Sequence, residues 1–146
     1  MARLEKDIFI TLYSIRKLIE ANKISDRTSS CQFTLIAYPA KGKMVTKMNW
    51  HKLEELFYLD NPHPVNKEAL FICNQIIHSY IFVPSFNTKN RLEGILFCSD
   101  RERNKQLYHL KVDALIRFME RVGKDYPTKL SMIFNQEKKD YQFKLK

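Results

Sequence analysis

Hydrophobic residues recur every three or four positions near the start of the chain. Over residues 4–23 the main apolar positions are Leu4, Ile8, Leu12, Ile15 and Ile19. Because this spacing places the side chains on one face of a helix, the pattern predicts an amphipathic helix. The polar residues 25–30 that follow predict a connecting loop.

After residue 31 the hydrophobic pattern changes to a period of two. Phe33, Leu35 and Ala37 alternate with Thr34, Ile36 and Tyr38. This alternation predicts a strand with one face in the core. We expect a turn at residues 39–42, a second strand at 44–48, and then a short helix over 50–59 capped by Asn49.

Residues 66–83 are apolar on almost every side of a helical projection. A helix of that kind is usually buried on all sides, so the segment predicts a central helix. Pro62 and Pro64 precede it and Pro84 follows it. Since proline cannot continue a helix, Pro62 and Pro64 are expected to end the short helix before this segment and Pro84 to end the central helix, whose expected N-cap is Asn66.

The second half of the chain predicts two hairpins and a helix. Residues 92–99 and 106–112 are strand candidates on either side of the polar turn at 100–105. A helix over 113–123 has the apolar face Leu115, Ile116, Met119 and Val122. Residues 129–136 and 141–146 flank the sequence EKKD and predict either a last hairpin or a strand followed by a tail.

These elements predict an α+β fold in one globular domain spanning residues 1–146. We expect about four helices and two or three hairpins. The hairpins form an antiparallel sheet that packs against the central buried helix at 66–83.

The cysteines and the N-terminal residues indicate in which cellular compartment the protein is expected. Cys31, Cys73 and Cys98 are odd in number and widely separated, which argues against a disulfide framework and favours a reducing environment. The N-terminal residues MARLEKDIF are charged and unlike a signal peptide, and no run of 18 apolar residues occurs. We therefore expect a soluble, cytoplasmic protein that does not enter a membrane.

The net charge of +9 arises from 25 basic and 16 acidic residues and is unevenly distributed. Residues 28–53 contain four lysines and no acidic residue, and aromatic residues lie among them. Aromatic faces can stack on bases while cations meet phosphates. The predicted nucleic-acid-binding residues are Tyr38, Lys41, Lys43, Lys47, Trp50 and Lys52, together with Arg101 and Lys105 from a second basic segment. An acidic protein is the alternative partner.

Arg103, Asn104 and His109 have the spacing Arg-Asn-x4-His. This spacing resembles the Arg-x4-6-His motif of the HEPN superfamily of metal-independent ribonucleases. The resemblance implies that Arg103 clamps a phosphate, Asn104 orients it, and His109 acts as acid or base. It also implies an all-helical fold with the motif on a helix. The period-two pattern on both sides predicts a hairpin turn instead, in which the match is coincidental.

A second polar group lies on the predicted central helix. Asn74 and His78 are four residues apart and therefore share a helix face, with Ser79 beside them. One alternative is a buried structural network in which His78 has a hydrogen-bond partner. The other is a pocket whose rim contains Ser99, Asp100 and the 101–105 turn.

No metal site or cofactor is predicted. His51 and His63 lack a second ligand at helical or strand spacing, and three isolated glycines cannot form a phosphate loop. The favoured function is a non-catalytic binding or accessory module that contacts nucleic acid or a protein partner. The alternatives are the HEPN-like ribonuclease and a subunit that forms a homo-oligomer through an apolar surface.

Overall fold

A computed structural model describes residues 2–146, in which five helices and seven strands are formed. The helices are α1 (Ala2–Glu20), α2 (Asp26–Ser29), α3 (Leu53–Leu56), α4 (Ala69–Ile77) and α5 (Val112–Gly123). The strands are β1 (Gln32–Pro39), β2 (His63–Glu68), β3 (Ser79–Phe86), β4 (Leu92–Ser99), β5 (Gln106–Lys111), β6 (Leu130–Asn135) and β7 (Asp140–Leu145).

Five of the strands form one antiparallel sheet in the order β2-β1-β5-β4-β3. Strands β6 and β7 form a separate two-stranded sheet. The predicted α+β class with an antiparallel sheet is therefore confirmed.

One face of the five-stranded sheet packs against α1, α4 and α5. The apolar positions of β1 that point to this face are Phe33, Leu35 and Ala37, as the alternation predicted. They join a buried cluster that includes Leu12 of α1, Ile72 of α4 and Phe118 of α5, along with Ile95, Phe97, Tyr108 and Leu110 of the central strands. This cluster is the main hydrophobic core.

The opposite face of the sheet is covered in part by residues 40–59. Val45, Leu56 and Phe57 pack there against Ile81, Cys98 and Leu107. A second, smaller core therefore holds this irregular segment on the sheet. Both cores depend on the alternation of β4 and β5, whose successive side chains point to opposite faces.

The predicted hairpin of β4 and β5 is confirmed. Phe97 lies opposite Tyr108 and Ile95 lies opposite Leu110, and residues 100–105 form the turn. The predicted C-terminal hairpin is also formed, by β6 and β7.

The predicted helix at 66–83 is shorter than expected. Residues 66–68 belong to strand β2, only Ala69–Ile77 is helical, and Ser79–Phe86 is strand β3. The apolar run 79–83 is rich in β-branched and aromatic residues, which suit a strand, but its apolar character alone could not distinguish strand from buried helix. The ends of α4 are thus set by its neighbouring strands.

Two prolines obscured these flanking strands in the sequence. Pro64 lies in β2 and Pro84 in β3, and both strands are at the edges of the sheet. An edge strand tolerates proline because one side of it makes no sheet hydrogen bonds. The interpretation of these residues only as helix boundaries therefore missed β2 and β3.

The predictions for residues 44–59 are largely wrong. Residues 44–48 form no strand, and the helix is limited to Leu53–Leu56. Asn49 caps no helix: its Oδ1 accepts a hydrogen bond from Thr46 N at 2.7 Å, and its Nδ2 donates to Met44 O at 3.0 Å. Asn49 thereby closes a turn, because its amide can satisfy local backbone groups that a strand would have paired.

Within residues 2–146, no helix is both long enough and apolar enough to cross a bilayer.

Gly94 is required where β4 passes under the side chain of His109 on β5. A Cβ atom at Gly94 would overlap His109 Nε2 and would lie 2.6 Å from the backbone oxygen of Leu110. The backbone contact cannot be relieved by rotating a side chain. The absence of a side chain at position 94 is therefore part of the fit between these two strands.

We expect Gly94→Ala to lower the free energy of unfolding by about 1–3 kcal/mol, as overpacking in a well-filled interior does. Gly123→Ala is the matched control, because a Cβ at Gly123 meets nothing within 4 Å. Urea unfolding of the two variants measures the difference. Equal stabilities for both would contradict the close fit at Gly94.

Candidate functional site

Three cations without an ion-pair partner in residues 2–146 line a cavity beside α5. The cavity has a volume of about 520 Å³ and lies where β5 leaves the sheet and continues into α5. Strand β1 forms one wall with Gln32, Thr34 and Ile36, and α5 forms the other. The charged and titratable side chains in its wall are His109, Lys111, Arg117 and Arg121.

No carboxylate lines this cavity. Lys111, Arg117 and Arg121 form no ion pair with any carboxylate of residues 2–146. The only side-chain hydrogen bond found for these three cations in that range is from Arg121 Nη1 to the sulfur of Cys31, at 3.5 Å. The cavity therefore presents three uncompensated cations.

The helical spacing of α5 brings its two arginines together. Arg117 and Arg121 are four residues apart and so project from the same side of the helix. Phe118 lies between them and turns into the core, where it packs edge-on against Phe33 with ring centres 5.1 Å apart. This buried aromatic pair fixes the helix that carries the arginines.

A second cavity continues along α5 and shares Arg117 and Arg121 with the first. Its other basic residues are Arg27, Lys124 and Lys146, and its two acidic residues are Glu120 and Asp125. The carboxylate of Asp125 already has hydrogen-bond partners: it accepts hydrogen bonds from the backbone nitrogen and the hydroxyl of Ser25. Burial raises the pKa of Asp125, but the Ser25 and Thr28 hydrogen bonds outweigh it and lower the pKa.

His109 lies on the sheet at the inner end of the first cavity. Its Nε2 is 2.8 Å from the hydroxyl of Ser85, across the close approach at Gly94. Burial lowers the pKa of His109, Glu93 raises it, and Lys111 lowers it further, with a net shift downward. The ring therefore favours the neutral form and can exchange one hydrogen bond with Ser85.

The motif Arg103-Asn104-x4-His109 is not on a helix. Arg103 lies in the turn of the β4–β5 hairpin, where it pairs with Asp100 at 3.2 Å and lies 4.2 Å from the ring centre of Tyr80. Asn104 Oδ1 accepts a hydrogen bond from Val45 N at 2.8 Å and so attaches the turn to residues 40–59. His109 instead contacts Ser85. The helical setting that the HEPN resemblance implied is therefore not found.

The structure brings most residues of the predicted pocket together. A cavity of about 490 Å³ is lined by Arg16, Asn74, Gln75, His78, Ser99, Asp100 and Arg101. Ser79, which lies opposite Ser99 on the neighbouring strand, does not line it. Arg16 of α1 and Gln75 of α4 are the members that the sequence pattern did not indicate.

His78 is exposed, contrary to the expectation of a buried residue. It follows the last turn of the shortened α4, where the chain turns into β3, so the helix does not bury it. Arg16 Nη1 lies 3.2 Å from His78 Nε2. The buried part of this network is Gln75, whose Oε1 accepts a hydrogen bond from Ser99 N at 2.9 Å, and Asn74 Oδ1, which is buried and has no partner within residues 2–146.

The predicted nucleic-acid surface around Lys41–Lys52 is partly neutralised by Glu55, which follows it directly in the sequence. Glu55 lies 3.9 Å from Lys43 and 3.6 Å from Lys52. Lys41 donates a hydrogen bond to the Glu54 carbonyl and lies over the ring of Tyr58. Lys47 is exposed, Trp50 packs edge-on against His51, and Tyr38 contacts the smaller core. This surface is therefore less positive than its sequence implies.

The two other predicted contact residues lie in the β4–β5 turn. Arg101 is exposed and lines the cavity near Asn74. Lys105 pairs with Glu102 at 3.1 Å. The turn is thus close to charge balance, whereas Lys111, Arg117 and Arg121 form no ion pair within residues 2–146.

Sequence reasoning missed the cavity beside α5. The available signal was the pair Arg117 and Arg121 at helical spacing within the second basic segment. Lys111 and His109 could not be added from sequence, because only the pairing of β5 with β1 and the bend into α5 bring them to the same place.

The cysteines supply no reactive thiolate in the cores. Burial raises the pKa of Cys73 and of Cys98 to about 12. Within residues 2–146, no group of three or more His, Cys, Asp or Glu side chains is placed to hold a metal ion.

A scan of protein-family models gave no match to this chain, and comparisons with curated proteins and with solved structures gave none either. Its function must therefore be inferred from its own residues.

The lowered pKa of His109 predicts a pH-dependent stability. The unfolded histidine takes up a proton near its ordinary pKa of about 6.5, whereas the folded one resists it. The contribution of neutral His109 to the free energy of unfolding is therefore complete above about pH 6.5 and is lost as the pH falls through the lowered pKa of the folded protein. Between about pH 7 and about pH 5, the melting temperature of the wild type should fall more steeply than that of His109→Gln. Parallel curves for the two proteins would show that His109 titrates normally.

Proposed function

We propose that this chain is a binding module for the phosphate backbone of a nucleic acid, with the groove along α5 as its contact surface. The observation that supports the proposal is the cavity wall formed by Lys111, Arg117 and Arg121 together with His109, in which no acidic residue takes part. Such a wall repels cations and attracts anions at any pH near neutrality.

The kinds of side chain in the groove favour phosphate as the ligand. An arginine guanidinium is planar and can donate two parallel hydrogen bonds to one phosphate. Arg117 and Arg121 are shared by both cavities, so a strand that follows the groove would meet them at its centre. The lysines at the two ends, Lys111 and Lys124, would then contact flanking phosphates.

The groove favours backbone contact over base recognition. Its aromatic residues in the first cavity, Phe33 and Phe118, are buried in the core and offer no open ring face for base stacking. Contacts to phosphate position a nucleic acid but carry no direct sequence information. We therefore expect binding that depends strongly on salt and weakly on sequence.

A second candidate function is metal-independent cleavage of RNA, and its supporting observation is the position of His109 in the wall of the same cavity. In this version the cations next to the histidine are Lys111 and Arg117, and Arg103 has no part. Incubation of single-stranded RNA with the wild type and with His109→Ala tests it. Cleavage that the variant loses would favour the enzyme, and intact RNA in both reactions would exclude it.

The charge of α5 predicts the effect of removing its arginines. The variant Arg117→Gln/Arg121→Gln should bind single-stranded RNA and duplex DNA more weakly than the wild type. Because each phosphate contact contributes about 0.7–0.9 to the slope of log affinity against log salt, the slope should become shallower by up to about 1.4–1.8. Fluorescence anisotropy over a salt series measures both quantities.

The matched control is Lys41→Gln/Lys43→Gln, which removes the same charge from the surface around residues 41–52. Equal losses for the two double variants would indicate that only net charge matters. A larger loss for the lysine variant would move the interface to that surface. If the wild type binds neither nucleic acid at low salt but binds an acidic polypeptide such as polyglutamate, the partner is an acidic protein.

A further inference from the structure

The C-terminal hairpin has one face that is entirely apolar. The register pairs Leu130 with Leu145, Met132 with Phe143 and Phe134 with Tyr141, so all six side chains lie on the same face. The opposite face contains Ser131, Ile133, Asn135, Asp140, Gln142 and Lys144. The hairpin is therefore strongly amphipathic.

The apolar face is not covered by the rest of the chain. Of its six residues only Leu145, at the base of the hairpin, is buried, and Met132 at its centre is 61% exposed. In ordinary sheets the apolar face is the one that packs on a core. Here β6 and β7 present that face to solvent.

The hairpin is nevertheless well specified in its backbone. Asn135 Oδ1 accepts hydrogen bonds from the backbone nitrogens of Glu137 and Lys138, and Lys139 adopts the left-handed conformation that closes the turn. Phe134 and Tyr141 pack edge-to-face with ring centres 5.2 Å apart. A two-stranded hairpin without a covering layer is only marginally stable in water, so this element gains stability from a partner.

We propose that the partner is a second copy of this chain, which covers the apolar face of β6 and β7 with the same face of its own hairpin. Two copies related by a twofold axis would bring identical surfaces together, which requires a surface complementary to itself. An apolar face without charge meets that requirement, and two such sheets pack face to face about 10 Å apart.

The charge distribution is compatible with this pairing. A chain of net charge +9 repels its copies over most of its surface, but the apolar face itself bears no charge. The turn beside it contains Glu137 and Asp140 as well as Lys138 and Lys139 and is balanced. The remaining charges of the hairpin, Lys129, Lys144 and Lys146, alternate with the apolar positions and so lie on the opposite face, away from the proposed contact.

The available area is sufficient for a weak dimer. The five exposed side chains of the face, each roughly half accessible, offer on the order of 500 Å² per chain, given the typical size of large apolar residues. Two copies would bury about 1,000 Å² in total, which is near the lower limit for a specific interface. We therefore expect a dimer that dissociates on dilution rather than a permanent one.

Sedimentation velocity of the full chain tests the proposal, from about 1 to about 100 μM, where interfaces of this size associate. The wild type should shift from monomer to dimer across the range. Met132→Asp, on the apolar face, should weaken association at least tenfold. Ile133→Asp is the matched control: it is the next residue of the same strand, is similarly exposed at 54%, and points to the opposite face. It should leave the dimer intact.

Tyr141→Asp, on the other strand of the apolar face, provides a second variant in case Met132→Asp disturbs the hairpin, and circular dichroism verifies that each variant is folded. A wild type that stays monomeric at the highest concentration would overturn the proposal. Equal loss in Met132→Asp and Ile133→Asp would also overturn it, because association would not depend on the face. If the monomeric wild type binds phosphatidylcholine vesicles and Met132→Asp does not, the face is a lipid contact instead.

Discussion

The pairing of β5 between β1 and β4 is the constraint on which the rest of the structure depends. In this central position β5 sends Tyr108 and Leu110 into the main core and Leu107 into the smaller core on the other side. The same alternation leaves His109 over Gly94 and sends Lys111 towards the start of α5. A register shift of one residue would exchange these faces and would remove both the cores and the basic cavity.

Helix α1 and strand β1 were predicted correctly because one face of each is buried and the other is more exposed, so burial selects every third and fourth or every second residue. The hairpin of β4 and β5 is buried on both faces, and it was predicted from two strand candidates on either side of the polar turn at 100–105. The alternation on both sides of the Arg103 turn was strong enough to predict a hairpin against the competing helical motif. By contrast, the segment around Ala69–Phe86 has apolar residues on almost every side of a helical projection, so its division into α4 and β3 was not evident.

The candidate site shows why charge along a sequence is a poor guide to charge on a surface. Residues 28–53 contain no acidic residue, yet Glu55 follows at once and its carboxylate lies close to Lys43 and Lys52, while the backbone carbonyl of Glu54 accepts a hydrogen bond from Lys41. In the segment 100–124 the acidic residues near the turn pair locally: Asp100 pairs with Arg103 and Glu102 with Lys105. These pairings leave the cations of α5 and Lys111 without partners. The surface with unpaired cations is thus formed by the segment 100–124, which contains both basic and acidic residues, and not by residues 28–53, which contain no acidic residue.

The hairpin and the groove meet at the C-terminus, which gives the two surfaces a physical connection. Lys146 lines the second cavity along α5, and its backbone exchanges hydrogen bonds with Lys129 at the base of the hairpin. Pairing of two hairpins would therefore hold two α5 grooves at a fixed separation. Once one groove is bound to a nucleic acid, the second binds as an intramolecular partner, so weak phosphate contacts in each copy would act together. The proposed phosphate-binding groove and the proposed dimer would each bind weakly alone, and together they would allow a long nucleic acid to be bound at more than one point.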